Sequence, residues 1–229
     1  MSRERLKRLI LPGAFVLLSA GGAVILRERS VSWLLFSAAV LGCAVIFETF
    51  ERREDSSNEV AAAAVMTALC VAGRLMFAFL PAVKPCMAVI TISGIYLGAG
   101  QGAVIGALSM LVSNFYFSQG MWTPFQMLLW GLTGLGAGAL SGVLRKSRAA
   151  LCLYGLITGV AFSLLMDVWS TFWADNGFTL RRFLSFAVTS AGFTAGYAVS
   201  NAVFLLVLIK PAERIFERLY NKYGIGSKR

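Results

Sequence analysis

Apolar residues run along this chain in long blocks separated by short polar or charged stretches. The blocks fall at about 9–26, 31–49, 60–80, 86–98, 102–118, 122–144, 149–174 and 183–209. Most approach the roughly 20 residues that an α-helix needs to cross a bilayer, and 86–98 is the short one. Runs this long and continuous exclude barrel strands, which alternate in polarity over segments of about ten residues. The pattern predicts an all-α integral membrane protein with eight crossings and both termini on one side.

The polar stretch ERREDSSNE (51–59) divides the chain unevenly. Residues 1–50 before it form a helical hairpin, and the six spans of 60–209 after it are the expected functional unit. Ser56-Ser57-Asn58-Glu59 ahead of an alanine-rich run is a helix-start signal. In the basic tail, 210–229, Ile215, Phe216, Leu219 and Tyr220 recur at helical spacing among charges, which predicts an amphipathic helix at the membrane surface. The first apolar run is too long for a signal-peptide core and no A-x-A site follows it, so it reads as a retained helix.

Composition agrees with this pattern. The 229 residues are 58% hydrophobic and 14% charged, and the mean hydropathy is +0.74, outside the soluble globular range. The net charge of +10 would suit nucleic acid, but its position points elsewhere. With eight crossings, 15 Lys and Arg fall on the side of the termini and 6 on the other. That asymmetry places the termini in the cytoplasm and sets the basic residues beside anionic lipid headgroups of the bilayer. No nucleic-acid partner is needed to explain it.

Catalysis and metal binding find little support. The chain has no histidine, the commonest metal ligand and general base. No cluster of carboxylates and no nucleophile beside a base is visible, so no enzyme is expected. Cys43, Cys70, Cys86 and Cys152 sit in apolar runs without C-x-x-C spacing and read as packing residues. GAGQG (98–102) lacks the lysine and hydroxyl residue of a phosphate-binding loop and reads as a tight turn. Work driven by ATP would fall to a partner.

Polar residues inside the spans carry more information. SNFYFSQGMWTPFQMLLWGL (113–132) gathers Asn114, Tyr116, Gln119, Trp122, Gln126 and Trp130. Trp122, Gln126 and Trp130 share one helical face and would line a pocket for a flat or amphipathic ligand. An aromatic belt explains Trp122 equally well. Asp167 is the carboxylate well inside a span, and such a group is a functional candidate by default; pairing with Arg74, Ser163 or Thr171 is the structural alternative. Trp169 and Trp173 point away from Asp167 and are assigned to the membrane interface. Small residues recur four apart at Ala64/Ala68/Ala72, Gly134/Gly138/Gly142, Gly155/Gly159 and Gly192/Gly196/Ser200, spacing that lets helix backbones approach closely. If the alanines face outward, Arg74 turns into the bundle. Pro81 and Pro85 stiffen the connection LPAVKP (80–85), which either serves as a lid or terminates a helix.

In order, the Ala-x-x-x-Ala stripe, GRLMFAFLPAVKP, GIYLGAGQGAVIGA, SNFYFSQGMWTPFQM, the glycine-rich helix and the basic tail resemble a substrate-binding S component of an energy-coupling factor (ECF) vitamin transporter. The resemblance covers about 59–224. It implies a six-helix bundle in a prokaryotic plasma membrane that binds a vitamin from outside as its transported substrate, with no covalently bound cofactor. It further implies a transmembrane coupling subunit and two ATPase subunits as partners. Ala64, Ala68 and Ala72 then become the coupling-subunit contact, 80–85 with Pro81 and Pro85 the gating loop, and Arg74, Lys84, Asn114, Tyr116, Gln119, Trp122, Gln126, Trp130 and Asp167 the candidate vitamin site. The motifs look most like the subgroup associated with cobalamin, with a flavin or pantothenate as alternatives. The first 50 residues lie outside the six-helix pattern. Two readings of other classes compete: a self-sufficient proton-coupled permease or exporter using Asp167, and a membrane scaffold using its glycine faces for assembly.

Overall fold

The structure is a computed structural model that describes residues 30–51 and 56–225. The expected span 9–26 and residues 52–55 of the charged linker lie outside the described residues. Those described form helices throughout, with no strand among them: α1 (Ser30–Glu51), α2 (Ser57–Met76), α3 (Cys86–Leu97), α4 (Ala99–Phe117), α5 (Thr123–Ala139), the single turn α6 (Ser141–Leu144), α7 (Arg148–Asp175) and α8 (Leu180–Tyr223). By length and composition α1, α2, α7 and α8 are long and apolar enough to cross a membrane.

Local chemistry explains the boundaries. Ser56 caps α2 through a capping box in which its hydroxyl accepts from the Glu59 amide and the Glu59 side chain accepts from the Ser56 amide. Pro124 stands in the first turn of α5, where its missing N–H costs nothing. Gly98, at φ +99°, breaks the chain between α3 and α4, a conformation glycine adopts without strain. The expected span 122–144 is two pieces, because the helix breaks at Leu140.

α3 is the centre of the bundle, with every residue except Val89 buried. Against it α4 and α5 pack backbone to backbone. A side chain at Gly134 would collide with the carbonyl oxygen of Gly102, and one at Gly94 with the carbonyl of Gly134. Within a membrane, where apolar burial gives no net drive between helices, such close contact supplies the association energy. α7 and α8 pair in the same way: a Cβ at Gly159 would lie 2.6 Å from the Cα of Ala198, and one at Gly155 would lie 3.0 Å from the Ala202 amide. Gly142 meets nothing within 4 Å and takes no part in the stripe it seemed to end.

Two expectations change. The tail is not a separate surface element, because α8 runs unbroken through residues 209 and 210 with Pro211 inside it. At about 1.5 Å per residue its 44 residues extend roughly 66 Å, more than a bilayer core requires. The extension turns its apolar side inward. Phe216 is buried and stacks on Tyr96 with centroids 4.9 Å apart, and the Arg145 guanidinium covers the same tyrosine at 4.9 Å. Trp169, assigned to the interface, is instead only 3% exposed and stacks on Phe125 at 5.0 Å, because α1 covers that side.

The glycine contacts give a direct test. Gly134→Ala must push α4 and α5 apart and is expected to cost at least about 1–3 kcal/mol. Gly142→Ala, in open space, should change stability by less than about 0.5 kcal/mol. Thermal unfolding of the two variants in detergent separates them.

Candidate functional site

Arg74, in the last turn of α2, sets the geometry of the site. Its Nη1 donates to Ser113 Oγ at 2.5 Å and Asn114 Oδ1 at 2.8 Å, with Met110 Sδ at 3.3 Å. The guanidinium also lies 4.4 Å from the ring centroid of Phe117 and 5.3 Å from that of Trp130, a cation–π setting worth about 0.5–2 kcal/mol. No carboxylate forms an ion pair with it among the described residues. Asn114, buried, passes the network on. Its Nδ2 donates to Gln126 Oε1 at 2.9 Å and Thr123 Oγ1 at 3.2 Å.

These groups border a cavity of about 430 Å³ between α2, α3, α4, α5, α7 and α8. Arg74, Lys84, Gln126 and Trp130 line one part of it. Ser163, Asp167 and Ser190 line another, and Phe117, Phe162, Met166, Phe193 and Tyr197 supply apolar wall. Asp167 Oδ2 accepts from Ser190 Oγ at 2.6 Å and makes no ion pair with Arg74. The hydroxyls of Ser163 and Thr194 meet at 2.7 Å. Two buried donors in the lining have no partner, Trp130 Nε1 and Asn201 Nδ2. Leaving a buried donor unpaired costs about 1–3 kcal/mol, which an acceptor reached by a modest side-chain rearrangement would recover.

The connection 77–85 packs against α8 and brings Lys84 to the cavity. Ala82, at φ +58° and buried, rests against Gly196, where a Cβ would come within 2.7 Å of its own. The Lys84 amide donates to Ser200 Oγ at 3.0 Å and that hydroxyl donates back to the Lys84 carbonyl at 3.2 Å. Lys84 Nζ donates to the carbonyls of Phe77 and Leu80, at the C-terminal end of α2, the latter at 3.0 Å. Partial burial holds that ammonium below its ordinary pKa. Pro85, buried, packs its ring against Gly73, whereas Pro81 is exposed.

A family model described as ECF-type riboflavin transporter, S component, matches residues 54–214. The chain belongs to this family. No curated protein and no solved structure matches it significantly. The chain is therefore a vitamin-binding subunit of an ECF transporter and a multi-pass membrane protein. Its family is one of transporter components rather than enzymes.

In this S component, Arg74, Lys84, Gln126, Trp130 and Asp167 come together at the cavity, with Asn114 behind them bridging Arg74 to Gln126. Tyr116, Gln119 and Trp122 do not join them. α4 ends at Phe117, so Phe117 turns inward while Tyr116 points outward, 70% exposed. Gln119 lies in the following loop and donates to the Leu111 carbonyl at 3.0 Å. Trp122 precedes α5 and folds over Gly120. Ala64, Ala68 and Ala72 face outward and line an apolar groove with Leu108 and Val112. Sequence reasoning missed the α8 wall. Ser190, Phe193, Tyr197 and Asn201 recur at helical spacing on one face, and a polar residue within an apolar run was the available signal.

Ser200 and Gly196 are therefore the landing surface of the 77–85 connection. Ser200→Ala removes both hydrogen bonds to the Lys84 backbone, and the one accepted from the Lys84 amide contributes about 1 kcal/mol. The Lys84 amide should then exchange roughly five-fold faster with solvent, measured by native-state hydrogen exchange, while amides within α3 remain unchanged.

Proposed function

We propose that this S component captures a flavin, a riboflavin-type vitamin, in the cavity beside Arg74. The observation that carries the reading is that Trp130 and Asn201, whose buried side-chain donors Nε1 and Nδ2 lack partners, line the same cavity as Arg74 and Gln126. A flat ring edge bearing carbonyl and ring-nitrogen acceptors satisfies all of them at once, and the aromatic wall of Phe117 and Phe162 receives its faces. The hydroxyls of a polyol chain find acceptors at Asp167 and the serines around it. The description of the matching family supports the same vitamin. Volume favours it over cobalamin, the subgroup the motifs resemble. About 430 Å³ lies toward the small end of the roughly 300–1,000 Å³ range of ligand sites and suits a three-ring heterocycle better than a corrinoid.

Uptake then follows from the architecture. The vitamin enters from outside past the 80–85 loop, which acts as a gate hinged between Pro81 and Pro85. The exposed Ala64/Ala68/Ala72 face docks onto a transmembrane coupling subunit, and two ATPase subunits supply the energy. Both termini are cytoplasmic in this arrangement, in the plasma membrane of a prokaryote. Asp167 serves as a hydroxyl acceptor rather than a proton carrier, which separates this reading from a self-sufficient permease.

Riboflavin fluorescence quenched on addition of the purified protein measures the binding. Trp130→Phe and Asn201→Leu should each weaken it by about 1 kcal/mol, roughly five-fold in Kd. Asp167→Asn should leave uptake in vesicles dependent on ATP and insensitive to a pH gradient. Tight binding of a corrinoid in place of any flavin would overturn the assignment.

A further inference from the structure

α1 lies outside the family match, which begins at residue 54, yet it packs into the bundle along α5 and α4 and reaches α7 through its N-terminal half. On α5 a Cβ at Gly42 would lie 2.7 Å from Leu128 Cδ1, Ile46 packs against Gly131, and Cys43 Sγ donates to the Pro124 carbonyl at 3.3 Å. On α7 Ser32 Oγ donates to the Phe172 carbonyl at 2.6 Å and Trp33 meets Trp173 edge-on at 6.1 Å. α5 and α7 make few direct contacts with each other. Their seam is bridged by the Phe125–Trp169 stack, and Ala39, 1% exposed, sits on that stack with Leu35 and Phe36 beside it. Immediately inside are Phe162 and Met166, which belong both to this cluster and to the cavity lining. Further along the same seam, Leu129, Leu132, Tyr154, Phe162 and Leu165 line a groove of about 180 Å³ that is not covered by α1.

We propose that α1 is the lateral wall of the binding cavity: it seals the α5–α7 seam against lipid and so fixes the spacing between the Gln126/Trp130 wall and the Asp167 wall. The groove at Leu132 and Leu165 shows the seam where α1 does not cover it. Lipid chains entering between α5 and α7 at the level of Ala39 would reach Met166 and let the two walls part, and a held ligand would escape more quickly. The flavin assignment enters only the second measurement below.

The test uses the full chain in vesicles containing phospholipid brominated on its acyl chains, which quenches tryptophan that the lipid can reach. Ala39→Phe forces α1 off the Phe125–Trp169 stack; Ala38→Phe, on the exposed face of the same helix, is the control. Without ligand, quenching should rise in Ala39→Phe, as Trp169 and Trp130 become accessible, and stay at the wild-type level in Ala38→Phe. Riboflavin release, followed by fluorescence recovery, should be about ten-fold faster in Ala39→Phe alone. Gly42→Val, a smaller displacement, should shift both readings the same way and decides the matter if Ala39→Phe does not fold. Unchanged quenching overturns the proposal. So does a rise in quenching with unaltered release, which would make α1 packing and nothing more. Wild-type protein that binds no flavin would overturn the function proposed above, and quenching would still decide the role of α1.

Discussion

A guanidinium at the end of α2 must be satisfied inside an apolar bundle, and much of the site follows from how this is done. A lone charge in such a setting is costly unless hydrogen bonds and aromatic faces replace water. Here Ser113 and Asn114 on α4 take its hydrogen bonds, and Phe117 and Trp130 give it two aromatic neighbours. Because Asn114 also holds Gln126, satisfying one cation fixes α2, α4 and α5 relative to one another. No carboxylate forms an ion pair with Arg74 among the described residues. The charge is thus held in place but not neutralised, and it remains available to a polar ligand.

Those three helices can carry the network only because α3, α4 and α5 approach to backbone contact. Gly94, Gly102 and Gly134 permit that approach, and it leaves the free volume of the bundle toward α7 and α8, with Arg74, Met87 and Met110 on its near side. The cavity is therefore a consequence of uneven packing: dense where glycine faces glycine, open where α5 and α7 stand apart. The unpaired Trp130 and Asn201 donors lie on the open side.

Much of this was legible in the sequence where local rules suffice. The Ser56 cap, the break at Gly98 and the outward alanine stripe with Arg74 turned inward all follow from spacing and residue type. Tyr116, Gln119 and Trp122 were misjudged because whether they share a face with Gln126 depends on where α4 stops. Ser118, at φ +84°, ends that helix in a conformation no local signal announces. Trp169 was assigned to the interface because helical geometry points it away from Asp167, and its burial comes from packing between α1 and α5. The α8 wall was overlooked for a different reason. Gly192/Gly196/Ser200 drew attention as a helix-packing stripe, whereas Gly196 and Ser200 receive the 77–85 connection and the adjacent face of α8 lines the cavity.

The two flanks of the bundle are unlike in a way that bears on what an additional helix can do. On the α2 flank the small residues are exposed, and shallow apolar grooves run on either side of the helix. That surface is shaped for another helix to lie against. α1 packs elsewhere, on the α4, α5 and α7 side, where Leu128 fills the notch at Gly42 and Ile46 the one at Gly131. A helix added on the α2 flank would have covered the alanine stripe and the groove beside it. Placed where it is, α1 lengthens the wall of the cavity and leaves the small-residue face open. An element beyond the family's own span can then reinforce binding without competing for the surface through which the subunit would dock.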